Sequence, residues 1–388
     1  MERFGQTTEP PNEMRAVAVF PKKKEVGVIR TRTPRITEPD QVRIRVLEVG
    51  VCGTDKEICS FEYGSPPRGS DYLIIGHESL GEAIEVGPKV SKLKVGDLVV
   101  ASVRRPCHHR RCTPCRSGYP DFCITGDYEE RGIKGENGFM SEYVVDYERY
   151  LHVVPRRLRR VAVLAEPLSV AEKAREQTRN IANRLPWLSN GSKNKHHERR
   201  LNAVVLGAGP VGLLGAMVLR SAGAETLVYA LEPAPNPSSN FVESIGGEYH
   251  SQGRITAEAR KRMFGHIDLI YEAAGASRLV FEALRVLGNN SEFILTGVPS
   301  LKGPYEIDGD RLMRNLVMKN QVLFGTVNAS SENFDEAILD IGKFNNLWPK
   351  TLRSLITERV SVDNAPDVLQ HRSKGIKTVI TFDNHFVH

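Results

Sequence analysis

The chain has 388 residues, of which 40% are apolar and 26% charged, with a formal net charge of +6. That length exceeds one ordinary core and suits two domains with a cleft between them, while the composition excludes a disordered chain. The basic residues are scattered and the net charge is modest, so composition favours no nucleic-acid partner, and no stretch reaches the roughly eighteen apolar residues of a membrane-spanning helix.

The opening stretch MERFGQTTEPPNEMRAVAVF lacks the charged start and apolar run of a secretory signal, so a cytoplasmic location is expected. In that reducing compartment clustered cysteines read as metal ligands rather than disulfides. From Met14 onward, short β-rich runs are broken by turn residues: RAVAVF, QVRIRVLEVGVCG, ESLGEAIEVG, GDLVVASV, MSEYVVDY and YLHVVP. Residues 1–174 are therefore expected to form a β-rich, barrel-like domain. LSVAEKAREQTRNIA has helical spacing, and the basic NGSKNKHHERR (190–200) reads as an exposed loop. Apolar strands then alternate with helical patterns from LNAVVLG through QVLFGTV, which predicts a parallel, helix-covered sheet over 175–328. Residues 329–388 mix a helical NFDEAILDIG with strand signals and are expected to return to the first domain.

Three constellations carry chemistry. VGVCGTD supplies Cys52, IIGHESLG supplies His77 and Glu78, and LAEPLSV supplies Glu166. One sulfur, one imidazole and one carboxylate leave the fourth position of a zinc ion open, as a catalytic site requires. Singly, each residue has a bland reading as a packed thiol, a hydrogen-bonded ring or a helix cap. Next, Cys107, Cys112, Cys115 and Cys123 crowd one turn-rich stretch, and four thiolates at such spacings close a structural zinc site. His109, separated from Cys112 by two residues, is an alternative to Cys107 as first ligand. Finally, VVLGAGPVGLL places Gly207, Gly209 and Gly212 between an apolar strand and an amphipathic helix, with Glu232 expected to close the next strand in TLVYALEP. This is the dinucleotide fingerprint: a tight turn at Gly207, close pyrophosphate approach at Gly209, and helix packing at Gly212. A 2′-phosphate would want an arginine or lysine in ALEPAPNPSSNF (230–241), which has none, so NAD is favoured; Ser238, Ser239 and Asn240 leave NADP use open.

In this order, VGVCGTD, GHESLGEAIEVG, VGDLVV, the four-cysteine lobe, NGFMSEY and VLGAGPVGLL resemble the zinc-dependent medium-chain dehydrogenases/reductases. PDFCITGDYEERGIKGENGFMSEYVVD, AEPLSVAEKA, DLIYEAAG and FGTVNAS resemble their archaeal and bacterial glucose 1-dehydrogenase branch. The resemblance implies a β-rich co-chaperonin-like barrel catalytic domain plus a Rossmann doubly wound parallel sheet, a mixed α/β and β fold. It implies a catalytic zinc on Cys52, His77 and Glu166, with Glu78 exchanging in, and Thr54 relaying the substrate proton. Glu130 and Asn328 match sugar-binding positions, with Thr54 and Glu166 also at the substrate. The implied cofactor set is Gly207, Gly209, Pro210, Val211, Gly212, Glu232, Thr296, Val298 and Asn328, for NAD or NADP. Zinc on the C1 oxygen of an aldose, D-glucose foremost, would ease hydride loss to the nicotinamide and give the aldonolactone. One structural and one catalytic zinc per chain and a dimer or tetramer are expected, with no nucleic-acid or membrane partner.

Two departures from the family pattern are the longer first spacing of the lobe and the arginine-free loop after the second Rossmann strand. The nearest alternative is another zinc-dependent polyol, sugar or alcohol dehydrogenase. A nucleic-acid binder built on Arg104, Arg105, Arg110 and Arg111 would leave the glycine loop and the second metal set unexplained. A catalytically silent relative sits poorly with intact Cys52, Thr54, His77 and Glu166.

Overall fold

A computed structural model describes residues 10–186, 201–251, 266–299, 303–304, 306–371 and 375–382. The basic segment 190–200 lies outside the described residues. The chain divides into two compact units, one of Met1–Glu166, Ala329–Gly342 and Ile356–His388, the other of Pro167–Asn328 and Lys343–Leu355.

The first unit is β-rich. Strands β1 (Glu13–Phe20) and β2 (Glu25–Arg32) form a hairpin whose other edge pairs with β4 (Leu73–Ile74). In β1 the run Ala16–Val19 is wholly buried, as the sequence pattern RAVAVF requires. The larger sheet runs β11 (Leu151–Val154), β6 (Leu98–Ala101), β5 (Glu78–Val86), β3 (Gln41–Gly50), β19 (Lys377–Thr381) and β18 (Ile356–Ser361), with β10 (Tyr143–Tyr147) also on β3. The expected return of the chain is visible in register: Val379, Ile380 and Thr381 pair antiparallel with Gly50, Val49 and Glu48. A third, small sheet holds β7 (Arg104–Arg105), β8 (Glu129–Arg131) and β9 (Gly135–Glu136).

The second unit is a six-stranded parallel sheet in the order β14 (Glu248–His250), β13 (Glu225–Tyr229), β12 (Asn202–Leu206), β15 (Leu269–Glu272), β16 (Glu292–Leu295) and β17 (Val322–Gly325). The order reverses between β12 and β15, the switch point at which such sheets bind ligands. Val204, Leu206, Leu227, Ile270 and Phe293 are fully enclosed, and burial of each contributes about 1.5–3 kcal/mol. Their unbroken apolar runs reflect a sheet covered on both faces.

The expected bounds at 174 and 329 differ from this division in two places. The helix Ala165–Ala182 is continuous through residue 174, and its Lys173 Nζ donates to the Val327 carbonyl at 2.9 Å. Residues 343–355 join the parallel-sheet unit, because Lys343 Nζ donates to the Ser221 carbonyl (3.1 Å) and Thr351 Oγ1 meets Ser244 Oγ (2.9 Å).

Candidate functional site

Cys52 stands before the short helix Gly53–Cys59, and its backbone N–H donates to Asp55 Oδ2 at 2.8 Å. This reciprocal cap fixes both the thiol and the carboxylate. His77 and Glu78 enter at the start of β5, beside Gly50 of β3. Ligand atoms of Cys52, His77 and Glu78 lie within 4.8 Å of one another. Asp55 Oδ1 is 3.4 Å from His77 Nδ1, which leaves Nε2 as the ring atom for a cation, the usual division between a metal-ligating histidine and its supporting carboxylate. Burial alone would keep His77 neutral, but Asp55 and Cys52 raise its pKa well above the ordinary value. Cys52 Sγ, a His77 ring nitrogen and a Glu78 carboxylate oxygen, one soft and two harder donors gathered in one place, make a donor set that suits a zinc ion.

Glu166, in the first turn of the helix Ala165–Ala182, faces the same group. Burial pushes its carboxyl up to about 7, His77 pulls it down, and Glu78 pushes it further up. The residue as a whole keeps partial exposure, but its carboxyl is enclosed. Thr54 Oγ1 lies 3.9 Å from Cys52 Sγ. Two residues that sequence reasoning missed complete the environment. Asp55 was legible as a capping partner in CGTD, whereas Lys377, ion-paired with Glu78 and donating to the Val51 carbonyl at 2.9 Å, comes from the far end of the chain with no local signal. Burial alone would depress the Lys377 ammonium, but Glu78 and Cys52 more than offset it and keep it charged.

Glu130 reaches the same unit from another direction. Its carbonyl accepts the N–H groups of Ile133 (3.0 Å) and Lys134 (2.8 Å), forming a turn around Gly132. Gly132 has φ +74° and presses on Gly76, where an added Cβ would fall 2.3 Å from the Gly76 carbonyl oxygen. Glu130 is thereby held near the segment that carries His77.

The four cysteines of the lobe gather their sulfurs within 4.8 Å of one another, and all are free thiols. Cys112 and Cys123 Sγ are 3.8 Å apart, close to the about 3.8 Å edge of a tetrahedron with Zn–S bonds of about 2.3 Å. Burial alone would raise Cys123, but hydrogen bonds from Thr125 and the neighbouring thiols bring it down to about 6, favouring the thiolate a cation needs. His109, the alternative ligand, pairs instead with Asp127 at the surface (2.9 Å).

In the second unit, Gly207 has φ +106°, and a Cβ on Gly212 would fall 2.1 Å from the Gly207 carbonyl oxygen. A Cβ on Gly209 would meet nothing within 4 Å, so the backbone there is open to a pyrophosphate. Pro210 and Val211 begin the helix Pro210–Ser221. Glu232 does not close its strand: β13 ends at Tyr229, and Glu232 is exposed beyond it, its carbonyl accepting from Tyr249 Oη at 2.7 Å. Ser238 donates to the Ala208 carbonyl and Ser239 to that of Asn236, so both hydroxyls serve the local fold. Thr296 donates to the Glu272 carbonyl (2.7 Å), and Val298 is exposed in the loop after β16. Asn328 adopts φ +61° at the end of this unit.

A Ser102–His152–Asp335 chain is also present, with distances of 2.8 and 2.7 Å. Its serine is buried and its acid exposed, the reverse of what a nucleophile requires, and it fastens the helix Ser331–Leu347 to β11.

Residues 38–156 match the model of the alcohol dehydrogenase GroES-like domain, and residues 159–382 that of the glucose dehydrogenase C-terminus. A glucose 1-dehydrogenase of Methanocella arvoryzae is 38% identical, with 95% of this chain and 99% of that protein covered. One of Thermoproteus tenax matches at 38% with the same coverage. Among solved structures, the Haloferax mediterranei glucose dehydrogenase in complex with NADP, Zn and gluconolactone superposes with a TM-score of 0.84 at 29% identity, covering 95% of this chain and 99% of that one. The chain belongs to the zinc-type medium-chain dehydrogenases/reductases, in their glucose dehydrogenase branch.

Proposed function

We propose that the protein oxidises C1 of an aldose, D-glucose foremost, delivering hydride to NAD(P) and giving the aldonolactone. The observation that carries this reading is the cluster of half-buried Cys52 with buried His77 and Glu78, backed by Asp55, in a chain similar over nearly its whole length to glucose 1-dehydrogenases. Cys52, His77 and Glu166 would hold a zinc ion, with Glu78 able to exchange in, and the four-cysteine lobe a second. Bound zinc supplies Lewis acidity toward the sugar oxygen. Thr54 receives the C1 hydroxyl proton at Oγ1 and passes it outward. Glu130 orients the sugar by accepting from its hydroxyls, and Asn328 is a further sugar-binding residue by family likeness. Gly207, Gly209 and Gly212 let the pyrophosphate meet the helix Pro210–Ser221, with Glu232 toward the ribose. The absence of arginine and lysine from 230–241 favours NAD, while the engagement of Ser238 and Ser239 hydroxyls removes two phosphate donors.

The domain reading that goes with this is a catalytic barrel over 1–174, a Rossmann domain over 175–328 and a return over 329–388, with 167–174 and 343–355 belonging instead to the parallel-sheet unit. A cytoplasmic homo-oligomer, dimer or tetramer, is proposed on the same footing. Strand β17 is the edge of its sheet, with Leu323 exposed, and Met313, Val317 and Met318 are exposed on the helix Gly309–Met318, a surface suited to a second copy.

The test is initial-rate reduction of NAD and NADP by glucose, galactose, xylose, sorbitol, threonine and simple alcohols, with Cys52→Ser and His77→Ala alongside. Aldose turnover that both substitutions abolish, with dinucleotide binding kept, supports the reading. Activity confined to polyols or alcohols would move the substrate within the superfamily, and full activity in either variant would remove the cation site.

A further inference from the structure

We propose that Arg104 is a positioning residue for sugar recognition: it ties Glu130 to the four-cysteine lobe, so that the lobe sets the enzyme's affinity for sugar. The proposal rests on the reading of Glu130 as the sugar's carboxylate.

The basic run around the lobe separates into two kinds of residue. Arg110 and Arg111 are exposed, whereas Arg104 and Arg105 are about nine-tenths buried. Arg104 of β7 lies directly opposite Glu130 of β8 in an antiparallel register. Its Nε and Nη2 both reach Glu130 Oε1, at 3.0 and 2.9 Å. Its Nη1 donates to the Asp121 carbonyl at 3.1 Å, and its guanidinium carbon lies 3.8 Å from the centre of the Tyr128 ring. Three polar contacts, two of them hydrogen bonds, and one ring face therefore fix the plane of the guanidinium, and the guanidinium fixes the carboxylate.

Asp121 belongs to the 3-10 turn Pro120–Phe122, which runs directly into Cys123 through a Cys123 N–H to Pro120 carbonyl bond of 3.1 Å. The chain of contacts thus passes from a lobe sulfur through the Asp121 carbonyl and Arg104 to Glu130. On the far side, the turn closed on the Glu130 carbonyl sets Gly132 against Gly76, next to His77. Glu130 is thus tied to the lobe through Arg104 by its side chain and, through the Gly132 turn, to the segment before His77 by its backbone. When the lobe loosens, the Asp121 carbonyl moves, Arg104 loses that bond, and the carboxylate loses its aim at the sugar. The lobe would then act on substrate binding although it touches no substrate.

The guanidinium fork makes this test discriminating, because a lysine keeps the charge but cannot span Glu130 and Asp121 together. Arg104→Lys, Glu130→Gln, the double variant and Cys123→Ser are compared with the parent holoenzyme. The readouts are KM for glucose, KM for the cofactor, kcat, and gluconolactone affinity by calorimetry. Arg105→Lys, equally buried but paired with Asp146, controls for loss of a buried arginine. Arg104→Lys is expected to raise KM for glucose and the gluconolactone Kd by roughly tenfold, with kcat and cofactor KM within about twofold. The double variant is expected to be no weaker than Glu130→Gln alone, and Arg105→Lys to leave KM for glucose unchanged. If Glu130→Gln leaves KM for glucose unchanged, the reading of Glu130 fails and takes the proposal with it. If Glu130→Gln raises KM while Arg104→Lys does not, or if the two effects multiply, the positioning role is overturned with the sugar site intact. Should Arg104→Lys fail to fold, Cys123→Ser decides: a raised KM for glucose alone supports the link, and an unchanged KM after loss of lobe metal overturns it.

Discussion

Lys377 and Glu78 form an ion pair closed to solvent, their side chains 2% and 1% exposed, between the last strand of the chain and the first residue of β5. The pair supplies the charge that burying Glu78 beside Glu166 and Asp55 demands. Removing one member strands the other, which costs about 3–5 kcal/mol, whereas removing both is far milder. Lys377→Met is therefore expected to lower stability by that order, and Lys377→Met with Glu78→Gln by much less than the two single losses summed. Denaturant midpoints of the four proteins close the cycle. Additive losses would show that the two groups act separately.

The lobe is expected to carry its own metal. Cys112→Ser should lower bound zinc by one ion per chain and the melting temperature by several degrees, since ligand binding to the folded state is folding free energy. Zinc analysis beside thermal unfolding checks it, and an unchanged stoichiometry would contradict the four-sulfur site.

The second and third glycines of the dinucleotide loop are expected to respond differently. At Gly209 a methyl group enters open space, so Gly209→Ala should keep the parent melting temperature while weakening NAD(P)H binding roughly tenfold or more by occupying the phosphate's approach. At Gly212 the methyl group meets the Gly207 carbonyl, so Gly212→Ala should lose stability and binding together. Fluorescence titration and thermal unfolding of both variants distinguish the two.

Glu292, at the start of β16, is pushed up to about 7 by burial, with Arg184 pulling it partly back. Its folded-state pKa lies above the unfolded value near 4.5, so the native state holds the proton longer. Stability from this group is intact below about pH 4.5, is lost as pH rises to about 7, and stays lost above. Allowing for partial solvent screening, the loss is on the order of 1–2 kcal/mol. Glu292→Gln should therefore gain on the parent between pH 5 and pH 8. Parallel pH dependences in the two proteins would contradict this.

What the sequence disclosed depended on how local each feature is. The lobe cysteines and Gly207, Gly209 and Gly212 each fall within one short stretch, and the structure gathers them as their spacing implies. Cys52 and His77 meet only because β3 and β5 pair, which the fragments VGVCGTD and IIGHESLG do not state without a family likeness. Lys377 reaches Glu78 by strand pairing of β19 with β3, a relationship with no trace in local pattern. The basic run is opaque for a similar reason: nothing in RRPCHHRR separates Arg104 and Arg105, covered by Glu130 of β8 and by Asp146, from exposed Arg110 and Arg111. TLVYALEP reads as a strand closed by Glu232, three residues past its observed end at Tyr229, because an apolar run shows where a strand begins better than where its last bridge falls.

The central claim is hydride transfer from C1 of an aldose to the nicotinamide. The most direct measurement is turnover of glucose deuterated at C1, with the reduced cofactor analysed by mass. The account requires deuterium on the cofactor, a primary isotope effect when the chemical step limits, and loss of both in Cys52→Ser. Deuterium retained in the sugar product, with reduced cofactor unlabelled, would contradict it.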